Sequence, residues 1–257
     1  TEMLVDDLNG IYVDCTVGLG GHSSSILNKI SKNGFLIGIE IDPYALSIAE
    51  KRLSNSNKNY LLHNTSYRNF PEVLCDSGNK KVDGFLFDLG ISSYQVDSKH
   101  RGFSYLKNES LDMRFNPESN RLTAKEYLST ISEYKLVELF RYYSDLKSPK
   151  KIAAGIIIYR NRGEMNTTFD LKKAVSEIST NYKVYSQVFQ CIRIGVNDEI
   201  ENLKSALINI GGYLKKGGKV AIITFHSIED RIVKHFLKNS YIIDVKDYYN
   251  KEYEALD

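Results

Sequence analysis

The chain has 257 residues, 42% of them hydrophobic and 26% charged, with a formal net charge of +2. That composition supports a sizeable core, in one large domain or a domain with an insertion, and excludes a disordered chain. No apolar run approaches the roughly 18 residues of a helical membrane span, and the acidic start TEMLVDDLNG does not read as a signal peptide. The cysteines Cys15, Cys75 and Cys191 are scattered and odd in number, so neither a disulfide framework nor a zinc pattern is expected. The five histidines have no metal-ligand spacing, and no metal site is expected. A reducing compartment follows. The expectation is the cytoplasm, with an organelle as the alternative, because the chain begins with Thr1 and a targeting segment upstream is left open. Charge is uneven: residues 98–187 hold 16 Lys and Arg against 10 Asp and Glu, and the remainder is net acidic. Such a basic stretch is either a solvated helical surface or a face that meets phosphates.

In chain order, GIYVDCTV reads as a short buried strand, and HSSSILNKISK after it has helical spacing. GFLIGIEI is a second buried strand. DPYALSIAEKRL begins a helix, with Asp42 as N-cap and Pro43 at its first position. NYLLHNTSY and KVDGFLFDLG are the third and fourth strands, the latter ending on Asp88. Strands alternating with helices predict βαβ units and a parallel sheet. From about Asp97 the pattern turns helical: TAKEYLSTISEYKLVELFRYY with a Ser-Glu break, then SPKKIAAGIIIYRNR and TFDLKKAVSEIS. The α/β pattern resumes with the helix DEIENLKSALINIGGYL, the turn and strand KKGGKVAIITF and the helix SIEDRIVKHFL. The expected division is a first sheet part at 1–96, an inserted helical substrate-recognition domain at 97–186 and a second sheet part at 187–257.

The stretch VDCTVGLGGHSSSIL ends a strand in a glycine-rich turn and opens a helix, the geometry that holds a nucleotide. Glu40 ends the next strand about 20 residues on, where an acid bonds a ribose diol. Nicotinamide dinucleotides and S-adenosylmethionine both fit this pattern. The acids Asp14 and Asp88 at strand ends would repel a pyrophosphate and suit a cationic sulfonium, which favours the methyl donor.

The segments GLGGHSSSIL, FDLGISSYQVD, RGFSY, LDMRF, VFQCIRIGVNDEIENL and ITFHSIEDRIVKHF resemble, in order, the motifs of the MraW/RsmH family. Members of that family methylate N4 of a cytidine in the decoding centre of 16S-type small-subunit ribosomal RNA. The resemblance runs from about Val13 to Leu237. It implies an α/β fold, a class I (Rossmann-like) S-adenosylmethionine-dependent methyltransferase sheet with an inserted helical domain. It implies cofactor contacts at Gly20, Gly21, His22, Glu40, Tyr67, Asp88 and Gln95. Many members have Asp where this chain has Glu40, and Tyr94 stands where the family has Pro. The family ends in a basic segment past the last helix, whereas this chain stops at NKEYEALD.

The exocyclic amine of cytosine is a poor nucleophile, because its lone pair is delocalised into the ring. Transfer needs placement and an acceptor for an amino proton rather than a strong base. Asp88, His226 and Ser227 are the candidates, with no choice among them. Asp112 and Arg114 of LDMRF are candidates to reach the site from the insertion. Arg101, Arg114, Arg160 and Arg162 are candidate phosphate contacts. The implied partner is small-subunit rRNA or the assembling subunit, without a membrane, and the oligomeric state is left open, a homodimer included. One alternative is a non-catalytic RNA-binding or ribosome-assembly factor that retains the fold, which cofactor binding discriminates. A DNA or protein amino-methyltransferase is disfavoured, since DNA enzymes carry Asp/Asn-Pro-Pro-aromatic where this chain reads Asp88-Leu-Gly-Ile. A dehydrogenase is weaker still.

Overall fold

The computed structural model describes residues 1–98, 100–119 and 121–239; the terminal NKEYEALD lies outside the described residues. The chain divides into two compact units, Thr1–Gly90 together with the chain from Ile200 onward, and Ile91–Glu199.

The first unit carries a five-stranded parallel sheet, built from β1 (Ile11–Asp14), β2 (Phe35–Glu40), β3 (Asn59–Asn64), β4 (Val82–Asp88) and β5 (Leu214–Ile223) in the order β3-β2-β1-β4-β5. Its helices are α1 (Gly21–Lys29), α2 (Pro43–Leu53) and α3 (Phe70–Asp76), with a single 3-10 turn at Tyr67–Asn69. Two more, α10 (Glu199–Tyr213) and α11 (Ser227–Asn239), close the unit. Strand side chains alternate between faces, and here both faces are apolar. Val13, Ile37, Ile39, Phe85 and Phe87 join Phe70, Leu203, Leu207, Ile210 and Val233 in one core. Tyr12, Leu36 and Leu86 meet Ile26, Leu27, Ile30 and Leu53 in the other. Helices cover both faces, which makes this the doubly wound, Rossmann-like class that the sequence predicts. The predicted cap of α2 is present: Asp42 accepts from the Tyr44 amide at 3.0 Å, and Pro43 stands at the first position. The Lys-Gly-Gly turn lies within β5, where the ladder slips, Val82 pairing with Leu214 but Gly84 with Lys219.

The second unit holds α4 (Ser93–Asp97), α5 (Ala124–Thr130), α6 (Glu133–Tyr143), α7 (Pro149–Asn161), α8 (Thr168–Ser176) and α9 (Tyr182–Asn197). The break in the long helical segment falls at Ile131–Ser132, where Ser132 caps α6 through the Lys135 amide. The expected boundary at 186 cuts α9 in its second turn. Val188, Phe189, Cys191 and Ile192 of α9 are buried among Leu136, Phe140, Ile156 and Leu171, so the whole helix belongs to the helical unit. The unit therefore runs to Glu199, and at the other end it begins at Ile91 rather than 97.

Candidate functional site

A parallel sheet offers its ligand site at the carboxyl ends of the strands, where the strand order reverses. In this sheet that point lies between β1 and β4. The loop leaving β1 is laced to both neighbours: the Cys15 amide donates to the Leu86 carbonyl at 2.8 Å, and the Val17 amide to the Ile39 carbonyl at 3.1 Å. Thr16 Oγ1 accepts from the Asp88 amide at 2.6 Å, and the Gly18 amide donates to Glu40 Oε2 at 2.7 Å. One six-residue loop thus ties together the ends of β1, β2 and β4, and with them Asp14, Glu40 and Asp88.

The three acids differ in environment. Asp14 is fully buried and accepts from Ser23 Oγ at 2.6 Å and from the Thr16 amide at 3.2 Å. Burial holds its carboxyl above the usual range despite those bonds. Glu40 is 8% exposed; its Oε1 accepts from the Asp42 amide at 2.9 Å. Burial outweighs the Asp42 and Gly18 hydrogen bonds and pushes its carboxyl up to about 7. Asp88 lies partly open, with Oδ2 3.5 Å from His22 Nε2. Its other oxygen, Oδ1, is buried and has no hydrogen-bond partner. The bond to Asp88 raises the His22 imidazole above its ordinary value, against the effect of burial.

The glycines divide between packing and access. Gly20 sits at φ 81° as the N-cap of α1, and a Cβ there would stand 3.2 Å from Ala49 Cβ. Its lack of a side chain answers to the left-handed backbone and to α2. Gly21 is exposed, and a Cβ on it would meet only Arg52 Nη1, at 3.7 Å. No side chain caps α1, so its first-turn amides are offered to an incoming acceptor. Tyr67, in the 3-10 turn after β3, is half-buried and stands edge-on to Phe87, ring centroids 5.7 Å apart. The described geometry of this corner, an orphan carboxylate oxygen, uncapped helix amides and a buried acid at the end of β2, fits a cofactor with a ribose, an amino acid head group and a positive charge.

His226 stands where α11 starts. Its Nδ1 accepts from the Glu229 amide at 3.3 Å, while Glu229 Oε2 accepts from the Phe225 amide at 3.0 Å. With Nδ1 accepting, the proton of the neutral ring is on Nε2, which lies 3.1 Å from Glu229 Oε1 without good hydrogen-bond geometry. That tautomer makes His226 a helix cap. Ser227 is exposed at the first position of α11.

The remaining predicted residues belong to the helical unit. Gln95 is 5% exposed, and its Oε1 accepts from the Ser92 amide at 3.0 Å in the capping box of α4. That box fixes the backbone around Tyr94. Arg101 is 9% exposed and donates through Nη2 to the carbonyls of Arg114 and Phe115 at 3.1 and 3.0 Å. Arg114 makes a two-pronged pair with Asp112, both bonds 2.8 Å. Arg160 Nη1 donates to the Leu128 and Ile131 carbonyls at the end of α5. These three guanidinium groups hold loops and helix ends. Arg162 is exposed at the end of α7, with its guanidinium 5.8 Å from the Tyr159 ring centroid.

Sequence reasoning passed over Arg193, Asn197 and Glu199. Arg193 pairs with Glu199 through bonds of 2.8 and 3.0 Å, both side chains buried. Asn197 donates to the Met113 carbonyl at 2.7 Å and accepts from the Phe115 amide at 2.8 Å, which locks LDMRF to α9. The signal was there: Arg193 and Asn197 interrupt the buried face of an apolar helix.

Several relatives match almost the whole chain, among them the following three. The ribosomal RNA small subunit methyltransferase H of Caldicellulosiruptor saccharolyticus is 41% identical over 242 residues, covering 93% of this chain and 78% of its own length. Methyltransferase H 1 of Acholeplasma laidlawii is 45% identical over 233 residues, covering 90% and 76%. The methyltransferase H of Thermosipho africanus is 42% identical over 246 residues, covering 93% and 82%. The model of one family matches residues 1–245, nearly the full chain and both of its units, and the chain belongs to that family, the MraW methylases.

Proposed function

We propose that this chain methylates the N4 amine of a cytidine in the decoding centre of small-subunit ribosomal RNA, with S-adenosylmethionine as donor. The observation that carries the reading is Asp88: a carboxylate at the switch point of the sheet, with a buried oxygen that has no partner and an imidazole on the other. When bound, adenosylmethionine supplies an electrophilic methyl group on a sulfonium, whose C–S electron pair leaves with sulfur. Glu40 accepts the ribose hydroxyls in charge-assisted bonds. The α1 amides at Gly21 and His22 donate to the amino acid carboxylate. Tyr67 presents its ring to the adenine.

Asp88 Oδ1 accepts a hydrogen bond from the cytosine amine, which localises the nitrogen lone pair. As the nitrogen takes on the methyl group it sheds a proton, which Asp88 receives and His22, 41% exposed at its side chain, passes toward solvent. The target base has to leave its stack to present the amine. The helical unit, in which basic residues outnumber acidic ones, serves RNA recognition, with Arg162 the exposed guanidinium among the four arginines predicted for that role. Among the described residues no helix is long and apolar enough to cross a membrane. We place the reaction in the compartment where small subunits are assembled.

The test is to incubate the protein and labelled adenosylmethionine with small subunits that lack the modification, digest the rRNA to nucleosides and measure N4-methylcytidine by mass spectrometry. Label in that nucleoside is the expected result. Label in a different nucleoside overturns the base assignment, and cofactor binding without any transfer favours the assembly-factor alternative.

A further inference from the structure

We propose that Phe225 is the platform on which the extruded target base stacks, an inference that rests on the function proposed above. The ring is 58% exposed although it sits beside the reacting corner. Asp88 pairs with Ile223 across β4 and β5, and the Leu89 amide donates to the Ile223 carbonyl at 3.0 Å. Two residues beyond each of these, Gly90 and Phe225 lie side by side. A Cβ on Gly90 would be 3.4 Å from Phe225 Cδ2, so the ring edge lies over the space that a side chain at position 90 would take. Gly90 has φ 92°, which favours glycine at that spot.

The backbone that carries this exposed ring is anchored. Its amide donates to Glu229 Oε2 at 3.0 Å, Glu229 is 3% exposed, and His226 next to it caps α11. A buried carboxylate thus fixes the backbone of an exposed aromatic residue at the carboxyl edge of the sheet, two residues past the strand end opposite Asp88. Bases removed from their stack are held on aromatic faces, and stacking tolerates any base while a separate acceptor reads the amine. Asp88 supplies the acceptor and Phe225 the surface.

The chain contains no tryptophan, so Phe225→Trp gives a protein with a single indole at the site. Its fluorescence is followed during titration with an rRNA fragment that spans the target cytidine, and with the same fragment abasic at that position. Quenching that depends on the target base is expected. Equal quenching by both fragments overturns the proposal, whether or not the protein methylates. In the methylation assay Phe225→Ala lowers kcat/KM about tenfold to a hundredfold. Phe225→Tyr restores it, Phe225→Leu does not, and adenosylmethionine affinity stays constant throughout. Full activity in Phe225→Leu would show that bulk suffices and would sink the stacking role. A wild type that does not methylate, yet shows base-dependent quenching, refutes the catalytic reading and leaves the platform standing.

Discussion

Glu40 gives the cofactor corner a measurable pH response. Its carboxyl titrates at about 7 in the folded protein, because burial outweighs the two amide hydrogen bonds. Ribose hydroxyls bond the ionised form better, so adenosylmethionine favours the deprotonated carboxylate. Between pH 8 and pH 6 the ionised fraction falls from about nine-tenths to about one-tenth, which weakens binding about tenfold, or roughly 1.4 kcal/mol. His22 works in the same direction. Its raised imidazole gains charge as pH falls and repels a cationic ligand. Glu40→Gln separates the two. The variant cannot titrate at position 40, and its amide leaves the Gly18 or Asp42 amide without an acceptor, a loss of about 1–3 kcal/mol. Calorimetric titration at pH 6, 7 and 8 should show wild-type affinity falling at least tenfold toward acid. Glu40→Gln should bind more weakly at pH 8 and lose most of the slope. A wild type with constant affinity, or a variant with the full slope, refutes the reasoning.

The same group has a stability consequence in the free protein. Its folded value of about 7 lies above the ordinary 4.5, so its contribution is fully present below pH 4.5 and is lost as pH rises through 7. Urea unfolding should show a loss of about 3 kcal/mol across that window that Glu40→Gln abolishes. Arg193→Ala strips the buried Glu199 of its guanidinium and should cost about 3–5 kcal/mol, whereas Arg193→Met with Glu199→Leu should recover most of it. A double variant as unstable as the single one contradicts that account. Gly20→Ala meets a left-handed backbone and Ala49 at 3.2 Å; we expect a loss of about 1–3 kcal/mol, checked by thermal melting. Asp88→Asn should lower methyl transfer about a hundredfold or more in single-turnover assays, and a near wild-type rate would remove Asp88 from the chemistry.

Much of this protein is legible in its residue pattern. Apolar, β-branched runs ending in Asp14, Glu40 and Asp88 announce parallel strands with acids at their carboxyl ends. The Asp42-Pro43 start and the Ser132 break mark helix boundaries through local chemistry, which sequence expresses directly. Six ordered motifs carry the family. None of these readings needs distant residues to be placed against one another.

The roles of individual side chains do need it. Only the fold shows Arg101 on the carbonyls of Arg114 and Phe115, and Arg114 on Asp112. The bond from the Glu229 amide to His226 Nδ1 at the start of α11 is likewise visible only in the structure. Residue pattern does not bring Ala49 of α2 beside Gly20; the packing of the two helices does. The end of the helical unit moved from 186 to 199 because α9 buries its apolar face against α6, α7 and α8, contacts that periodicity does not address. A sequence specifies which groups exist and which local conformations they favour. Whether a polar group faces solvent, a ligand or a buried carbonyl depends on partners far away in the chain, because a polar group loses its hydration on burial and takes whichever partner the fold brings to it.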